Sequence, residues 1–210
     1  MELHADLSQR ALLDTNALAW TPAPMAGVER RMLDRRGEEV ARATSLVRYA
    51  PGSRFERHSH GGGEEILVLE GTFSDEQGDY PAGTYLRNPV GSNHAPSSEQ
   101  GCTILVKLHQ MHPADQQQLV IDTANAAWLP GLVRRLEVMP LHAFGSEPWP
   151  WCAGRQARCF SPTAIRAVRR SSYWMVSFRT STAATPPAAG CATHPAACTG
   201  PGARLAAPSG

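Results

Sequence analysis

The sequence predicts an all-β protein, a sandwich or barrel of short strands. Three observations carry this expectation. From Glu39 to His109, short apolar runs alternate with Gly- and Pro-bearing turns at close spacing. No stretch has the periodicity of a long amphipathic helix. No apolar run approaches the ~20 residues that a membrane helix needs.

The elements follow in order. The opening "MELHADLSQR" carries acids and no apolar h-region, so it reads as the start of a cytoplasmic protein rather than a secretory signal. "EEVARATSLVRYA" is rich in β-formers and stops at the Pro51-Gly52 turn signal. "EEILVLEGTF" is apolar on both faces, as a buried strand is. "GDYPAG" is a turn, "TYLRNP" a short strand, and "VGSNH" closes it. "CTILVKLHQ" is a second buried strand, and "PADQQQLV" is predicted to form a helical turn. Cys102 stands alone in the first part of the chain and reads as a small buried hydrophobe. Cys152, Cys159, Cys191 and Cys198 lack C-x-x-C spacing, which argues against a zinc knuckle or a disulfide framework.

Charge is divided unevenly. Residues 1–147 hold all 19 acids and 13 of the 20 basic residues, a net charge of 13 − 19 = −6. Residues 148–210 hold seven arginines and no lysine or acid. A basic tail suggests nucleic acid. These arginines are scattered, however, and only Arg169 and Arg170 are adjacent. No nucleic-acid or membrane partner is expected.

The chain also repeats itself. "DTNALAWTP" at 14–22 recurs as "DTANAAWLP" at 122–130, an offset of 122 − 14 = 108. Arg30-Arg31 then recur as Arg134-Arg135, an offset of 134 − 30 = 104. A repeat this long means a duplicated domain. The expected organisation is a complete barrel over 1–121, the start of a second over 122–147, and a tail from 148 to 210. Strands of the half-repeat are expected to lie against the first barrel or to leave an exposed edge.

The chemistry lies in "GSRFERHSHGGGEEILVLEG" at 52–71. Residues i and i+2 of a strand share a face, so His58 and His60 can meet one ion. Gly61, Gly62 and Gly63 permit a tight turn into the next strand. Glu64 opens that strand on the face of Ile66 and Val68, and "GTYLRNPVGSNH" then supplies His94. Three imidazoles and one carboxylate suit Zn²⁺, Fe²⁺, Mn²⁺ or Ni²⁺. An isolated H-x-H pair is common among surface residues. Here the combination and its spacings set it apart.

Gly52-x5-His58-x-His60-x3-Glu64-x6-Gly71 matches the first cupin motif. Gly83-x5-Pro89-x-Gly91-x2-His94 matches the second, with Ser98 where an asparagine often stands. More narrowly, "ARATSLVRYAPGSRF", "HGGGEEILVLEG" and "GCTILVKL" resemble the ChrR-like cupins over residues 1–147. The resemblance implies a small antiparallel jelly-roll barrel with His58, His60, Glu64 and His94 as ligands of one divalent metal, zinc first. ChrR-like anti-sigma factors carry an additional N-terminal helical domain with its own His/Cys zinc motif. The sequence before the barrel has no such motif, so sigma-factor binding is not expected. By the same analogy the chain is expected to resemble double-cupin members and to be a candidate homodimer.

The tail reads as the second cupin in the wrong frame. Each hidden codon joins the last base of one codon to the first two of the next. Tyr173-Trp174 then forces leucine, Trp174-Met175 aspartate and Met175-Val176 glycine. At the offset of 104 the first copy has Leu69-Glu70-Gly71. Permissive pairs from Pro162 to Arg170 can encode "HSHPGGEE", and Cys198-Thr199 can encode a histidine aligned with His94. Out-of-frame sequence is under no selection to bury a core, so residues from about 148 onward are expected to be disordered or poorly packed.

Two functions fit. One is a metal-holding sensor or regulatory module responsive to a small molecule or an oxidant. The alternative is a mononuclear metal-dependent dioxygenase acting on a small organic substrate. A structural zinc in a binding module is the blandest reading. No residue is assigned as catalytic. Arg54, Arg57, Tyr85, Arg87 and Cys102 are candidate pocket groups, read first as surface ion pairs or packed core.

Overall fold

The computed structural model describes residues 1–9, 11–38, 40–130, 136–145, 147–156, 166–170 and 173–177. Two short strands, β1 (Glu2–Leu3) and β2 (Ala11–Asp14), precede a 3-10 turn at Thr15–Ala17. The first hairpins follow as β3 (Thr21–Pro22), β4 (Val28–Gly37) and β5 (Ala41–Tyr49). Next come β6 (Ser53–Arg54), β7 (His58–Ser59), β8 (Glu64–Asp75), β9 (Gly78–Pro81) and β10 (Thr84–Asn88). The barrel ends with β11 (Asn93–His94), β12 (Ser97–Ser98), β13 (Cys102–Leu108) and β14 (Leu119–Asp122). Beyond it lie β15 (Leu129–Pro130), β16 (Leu136–Phe144), β17 (Glu147–Gln156), β18 (Arg166–Arg170) and β19 (Tyr173–Ser177). All these pairings are antiparallel, in agreement with the all-β expectation. The predicted helical turn at 113–120 is not a helix. Residues 113–114 form a simple turn, and Leu119 and Val120 already belong to β14. No helix among the described residues is long and apolar enough to cross a membrane.

The main sheet runs β1-β4-β5-β13-β8-β10-β14. Alternation of side chains divides its residues between two cores. Ile66, Val68, Leu86, Ile104 and Val106 point to one face with Tyr49, Phe73 and Cys102. Leu67, Tyr85 and Leu105 point to the other with Leu33 and Leu46. Strands buried on both faces read as continuous apolar runs, which is why "EEILVLEG" and "CTILVKL" show no clean alternation.

The ladder between β8 and β13 slips by one residue between Thr103 and Ile104. That bulge changes which face later β8 residues use, and Phe73 returns to the core of Ile66 and Val68. Just beyond the bulge, Gly71 is required by a close approach. Its φ is +71°, and a Cβ there would lie 2.1 Å from the Gly101 carbonyl oxygen.

The second face also buries charge. Lys107 Nζ lies 2.9 Å from Glu65, Tyr85 donates to Glu65 at 2.8 Å, and Arg87 donates to Asp115 at 2.6 Å. His142 of β16 bonds the same Asp115 oxygen at 2.7 Å. Met139 and Leu141 of β16 pack on Leu33, Leu46, Leu67 and Leu105. The half-repeat therefore lies against the first barrel.

In the tail, expected to be disordered or poorly packed, three strands are described at 147–156, 166–170 and 173–177. They pair by backbone as β16–β17, β18–β19 and β18–β2. An open strand edge can accept any backbone that runs extended, whatever the frame that encoded it. The rest of 148–210 lies outside the described residues.

Candidate metal centre

Two short ladders build the centre. β7 and β11 pair so that His58 lies directly opposite His94. The ladder continues past β7, where the His60 amide donates to the Ser92 carbonyl and the Gly91 amide to the His60 carbonyl, both at 2.9 Å. His60 is thereby fixed two residues after His58. The chain then turns through Gly61–Gly63 into β8, where Glu64 sits opposite Asn88 of β10.

These ladders bring one ligand atom from each of His58, His60 and His94 within 4.8 Å of one another. Glu64 Oε2 lies 3.3 Å from His60 Nε2 and 3.4 Å from His94 Nε2. His60, His94 and Glu64 are buried, and His58 is exposed. Neither His60 Nε2 nor His94 Nε2 has a hydrogen-bond partner among the described residues. Two buried, orphaned ring nitrogens facing one carboxylate oxygen are an arrangement that a divalent cation satisfies. The three histidines expected from sequence are thus brought together, with Glu64 against two of them, and these donors fit a metal ion.

The protonation preferences agree with this. Burial, then the neighbouring His94, His58 and His109, push the His60 imidazole down to about 3. Burial also lowers His94, partly offset by its Asp75 hydrogen bond. Glu64 is pushed up to about 7 by burial, against the Asn88 hydrogen bond and with Asp75 adding to the rise. The close His–Glu contacts are therefore not ordinary ion pairs, because burial disfavours the charged form of both partners. A bound cation reverses that preference for the carboxylate.

A second layer orients these ligands, and sequence reasoning did not find it. Asp75 Oδ2 lies 3.2 Å from His94 Nδ1, while its other oxygen accepts from Tyr80 Oη at 3.1 Å and the Gln77 amide at 2.8 Å. His58 Nδ1 lies 2.9 Å from the Glu56 carbonyl. A proton on each of these Nδ1 atoms leaves the Nε2 lone pair free. Asn88 donates to Glu64 Oε2 at 3.2 Å. Arg57 donates to Asn93 at 2.7 Å and also pairs with Glu76, whose carboxylate accepts from the Ala95 amide. That clamp braces the strands carrying His58 and His94.

His109, at φ +55°, lies against the glycine loop. A Cβ on Gly62 would come within 2.3 Å of its Nδ1. The glycines are therefore needed for this close approach as well as for the turn. Of the other pocket candidates, Tyr85 and Arg87 belong to the ion network on the opposite face, and Cys102 is buried core. Arg54 is exposed. Phe55 and Phe73 stand 6.0 Å from the His58 and His94 rings respectively and give the centre an aromatic wall.

A family model described as the ChrR Cupin-like domain matches residues 8–112. A solved structure from Nostoc punctiforme, whose name proposes a dioxygenase, is similar with a TM-score of 0.53 at 16% identity. The match covers 64% of this chain and 56% of that one. A Pseudomonas aeruginosa structure, whose name proposes a glyoxylate-induced protein, gives a TM-score of 0.50 at 13% identity, covering 64% and 58%. The Rhodobacter sphaeroides complex of SigE with the anti-sigma ChrR matches at 27% identity over 44% of this chain and 50% of that one, with a TM-score of 0.39. The chain spans less than two thirds of the length of each of these three. No curated protein matches it.

Proposed function

The chain belongs to the ChrR cupin-like domain family and has its all-β jelly-roll fold, and from that premise we propose that it holds one divalent metal ion on His58, His60, Glu64 and His94 and acts as a sensor or regulatory module. Zinc is the first candidate, and the same donors suit iron, manganese or nickel. The stimulus is a small molecule or an oxidant. The observation that carries the reading is the convergence of the orphaned Nε2 atoms of His60 and His94 on one Glu64 oxygen.

When bound, such an ion supplies a Lewis-acid centre. The chain's own residues do the rest. Asp75 and the Glu56 carbonyl hold the imidazole tautomers, Asn88 orients Glu64, and Arg57 braces the ligand strands. Exposed His58 leaves one side of the centre open, and Phe55 and Phe73 offer an apolar surface beside it. That open side also supports a second reading, a metal-dependent dioxygenase for a small organic substrate. Residues 148–210 have no part in either function in the frame as written.

The test is metal analysis of protein prepared without oxygen, with oxygen uptake measured alongside. About one divalent metal per chain is expected, and His60→Ala should remove it and lower stability, because metal held by the native state contributes folding free energy. Full metal retention by the variant would overturn the assignment. Substrate-dependent oxygen uptake would favour the dioxygenase reading over the sensor.

A further inference from the structure

The Arg30-Arg31 pair, which recurs as Arg134-Arg135, has no part in the metal centre described above. Its two side chains go to opposite faces of β4. Arg31 lies over the Trp20 ring at 4.3 Å, and Trp20 packs on the core of Leu33 and Leu46. Arg30 therefore points to the face of Val28, which shares its core with Tyr49, Ile66 and Phe73. That is the metal side of the sheet, since Phe73 stands 6.0 Å from the His94 ring. Register carries this face across the strands. Arg30 is opposite Val47, Val47 opposite Ile104, and Ile104 opposite Val68 of β8, the strand that Glu64 opens on the same face. Four strands span about 14 Å at ordinary spacing, and the row between Arg30 and β8 is apolar. Arg30, Met32 and Val47 are only partly buried, so solvent reaches this face.

The acids of β4 are committed elsewhere. Glu29 pairs with Arg48, and Asp34 with Arg42 at 3.3 Å. Arg42 and Arg48 share the opposite face of β5 with Leu46, and Arg48 also lies over Trp20, at 4.5 Å. Arg30 Nε is buried and has no hydrogen-bond partner among the described residues. A second cation stands nearby. After the register shift between Met32 and Asp34, Arg35 is opposite Ala43, which returns it to the metal side. Burial, then the neighbouring Arg30 charge, lowers the Arg35 guanidinium, against Glu38. Arg35 also donates to the Glu38 carbonyl, which leaves Arg30 as the principal open donor. Two guanidiniums on a half-buried face to which β4 turns no acid favour an anion.

We propose that Arg30, with Arg35 beside it, binds the carboxylate of a small organic acid whose apolar body lies over Val47 and Ile104, toward the metal centre. This names the chemical class of the stimulus or substrate and rests on the reading of that centre given above. A guanidinium suits the task because its planar fork offers paired N–H donors to a carboxylate.

The test is a chemical-shift titration of the full chain with butyrate, in metal-loaded and metal-free forms. Butyrate should bind both forms, and butyramide, its uncharged analogue, should bind more weakly by about tenfold or more. Arg30→Gln should weaken butyrate by a similar factor, and Arg30→Lys should keep part of the affinity. Arg31→Gln, altered on the opposite face, should match the parent. Failure of the parent to bind butyrate, full affinity in Arg30→Gln, or equal loss in Arg31→Gln overturns the proposal. Binding that vanishes with the metal but not with Arg30→Gln also overturns it, because the carboxylate then sits on the ion. Arg30-dependent binding by a chain that takes up no metal would keep this site and sink the metal reading. If Arg30→Gln fails to fold, Arg30→Lys and the butyramide comparison decide.

Discussion

At the scale of single residues, the ligands were legible and their supports were not. His58 and His60 announce themselves because strand geometry puts i and i+2 on one face. Glu64 and His94 stand at motif spacings. Asp75 is one of three acids in the turn-like stretch 75–79 and has no such signature. It meets His94 because β8 runs on past the bulge opposite Thr103 and Ile104, a fact of tertiary structure. Its importance is testable. Asp75→Asn removes the charge that holds the proton on His94 Nδ1, so metal affinity should fall about 10–100-fold with the fold intact. Competition with a chromophoric chelator measures the affinity, and the Co²⁺ absorption spectrum reports the changed ligand field. An unchanged affinity and spectrum would reduce Asp75 to a packing residue.

Glu64 supplies the pH dependence. Its folded value of about 7 lies above its ordinary 4.5, so in the metal-free chain its contribution to stability is present below about 4.5 and lost as pH rises through about 7. For metal the sign reverses, because a cation must displace that proton. Affinity should rise between pH 5 and 7, by up to about tenfold per pH unit from the Glu64 proton, and then level off. His60, already neutral above about 3, adds no proton in that range. Titrations at stepped pH measure the slope, and Glu64→Gln should flatten it.

At the scale of elements, most long strands of the first barrel were readable because their residue types leave little choice, but the ten-residue β4 was not, since four arginines interrupt its apolar pattern. β5, β10 and β13 fall within predicted runs, and β8 starts with its run and extends two residues past it to Asp75. The misses have two physical causes. Strands of two to four residues, such as β1, β3, β12 and β14, are shorter than any period that would reveal them, and their partners are distant in sequence. The stretch at 113–120 carries good helix formers, yet Arg87 captures the Gln117 carbonyl at 2.8 Å and Asp115 through its carboxylate. Tertiary bonds of that kind override weak local propensity. The same buried network explains why Tyr85 and Arg87 resembled pocket residues. A charged or hydroxylated side chain on a strand reads alike whether it lines a cavity or closes an ion network on the opposite face.

At the scale of the whole molecule, the first barrel is built from residues that precede the tail. β14 and Thr123 precede the tail, so the first barrel receives its last strand even if the second barrel never forms. The segment that covers its outer face, with Met139, Leu141 and His142, also lies before residue 148. Removing 148–210 takes away β18 and β19 and most of β17, which pair with β2 and β16 rather than with strands of the main sheet. The shortened chain should therefore keep one metal per chain and lose only a few degrees of melting temperature, as expected for elements outside the main core. A large drop would place the tail within the cooperative unit. The converse experiment restores the reading frame near the codons for Gly145–Pro148. If the tail is the second cupin out of frame, the recovered sequence supplies a second "HSHPGGEE" motif and a histidine aligned with His94. Metal content should rise from about one to about two per chain, with both sites ascribed to like donors. A restored chain that still binds only one ion would refute the idea that the tail encodes a second centre, while leaving the first centre's assignment untouched.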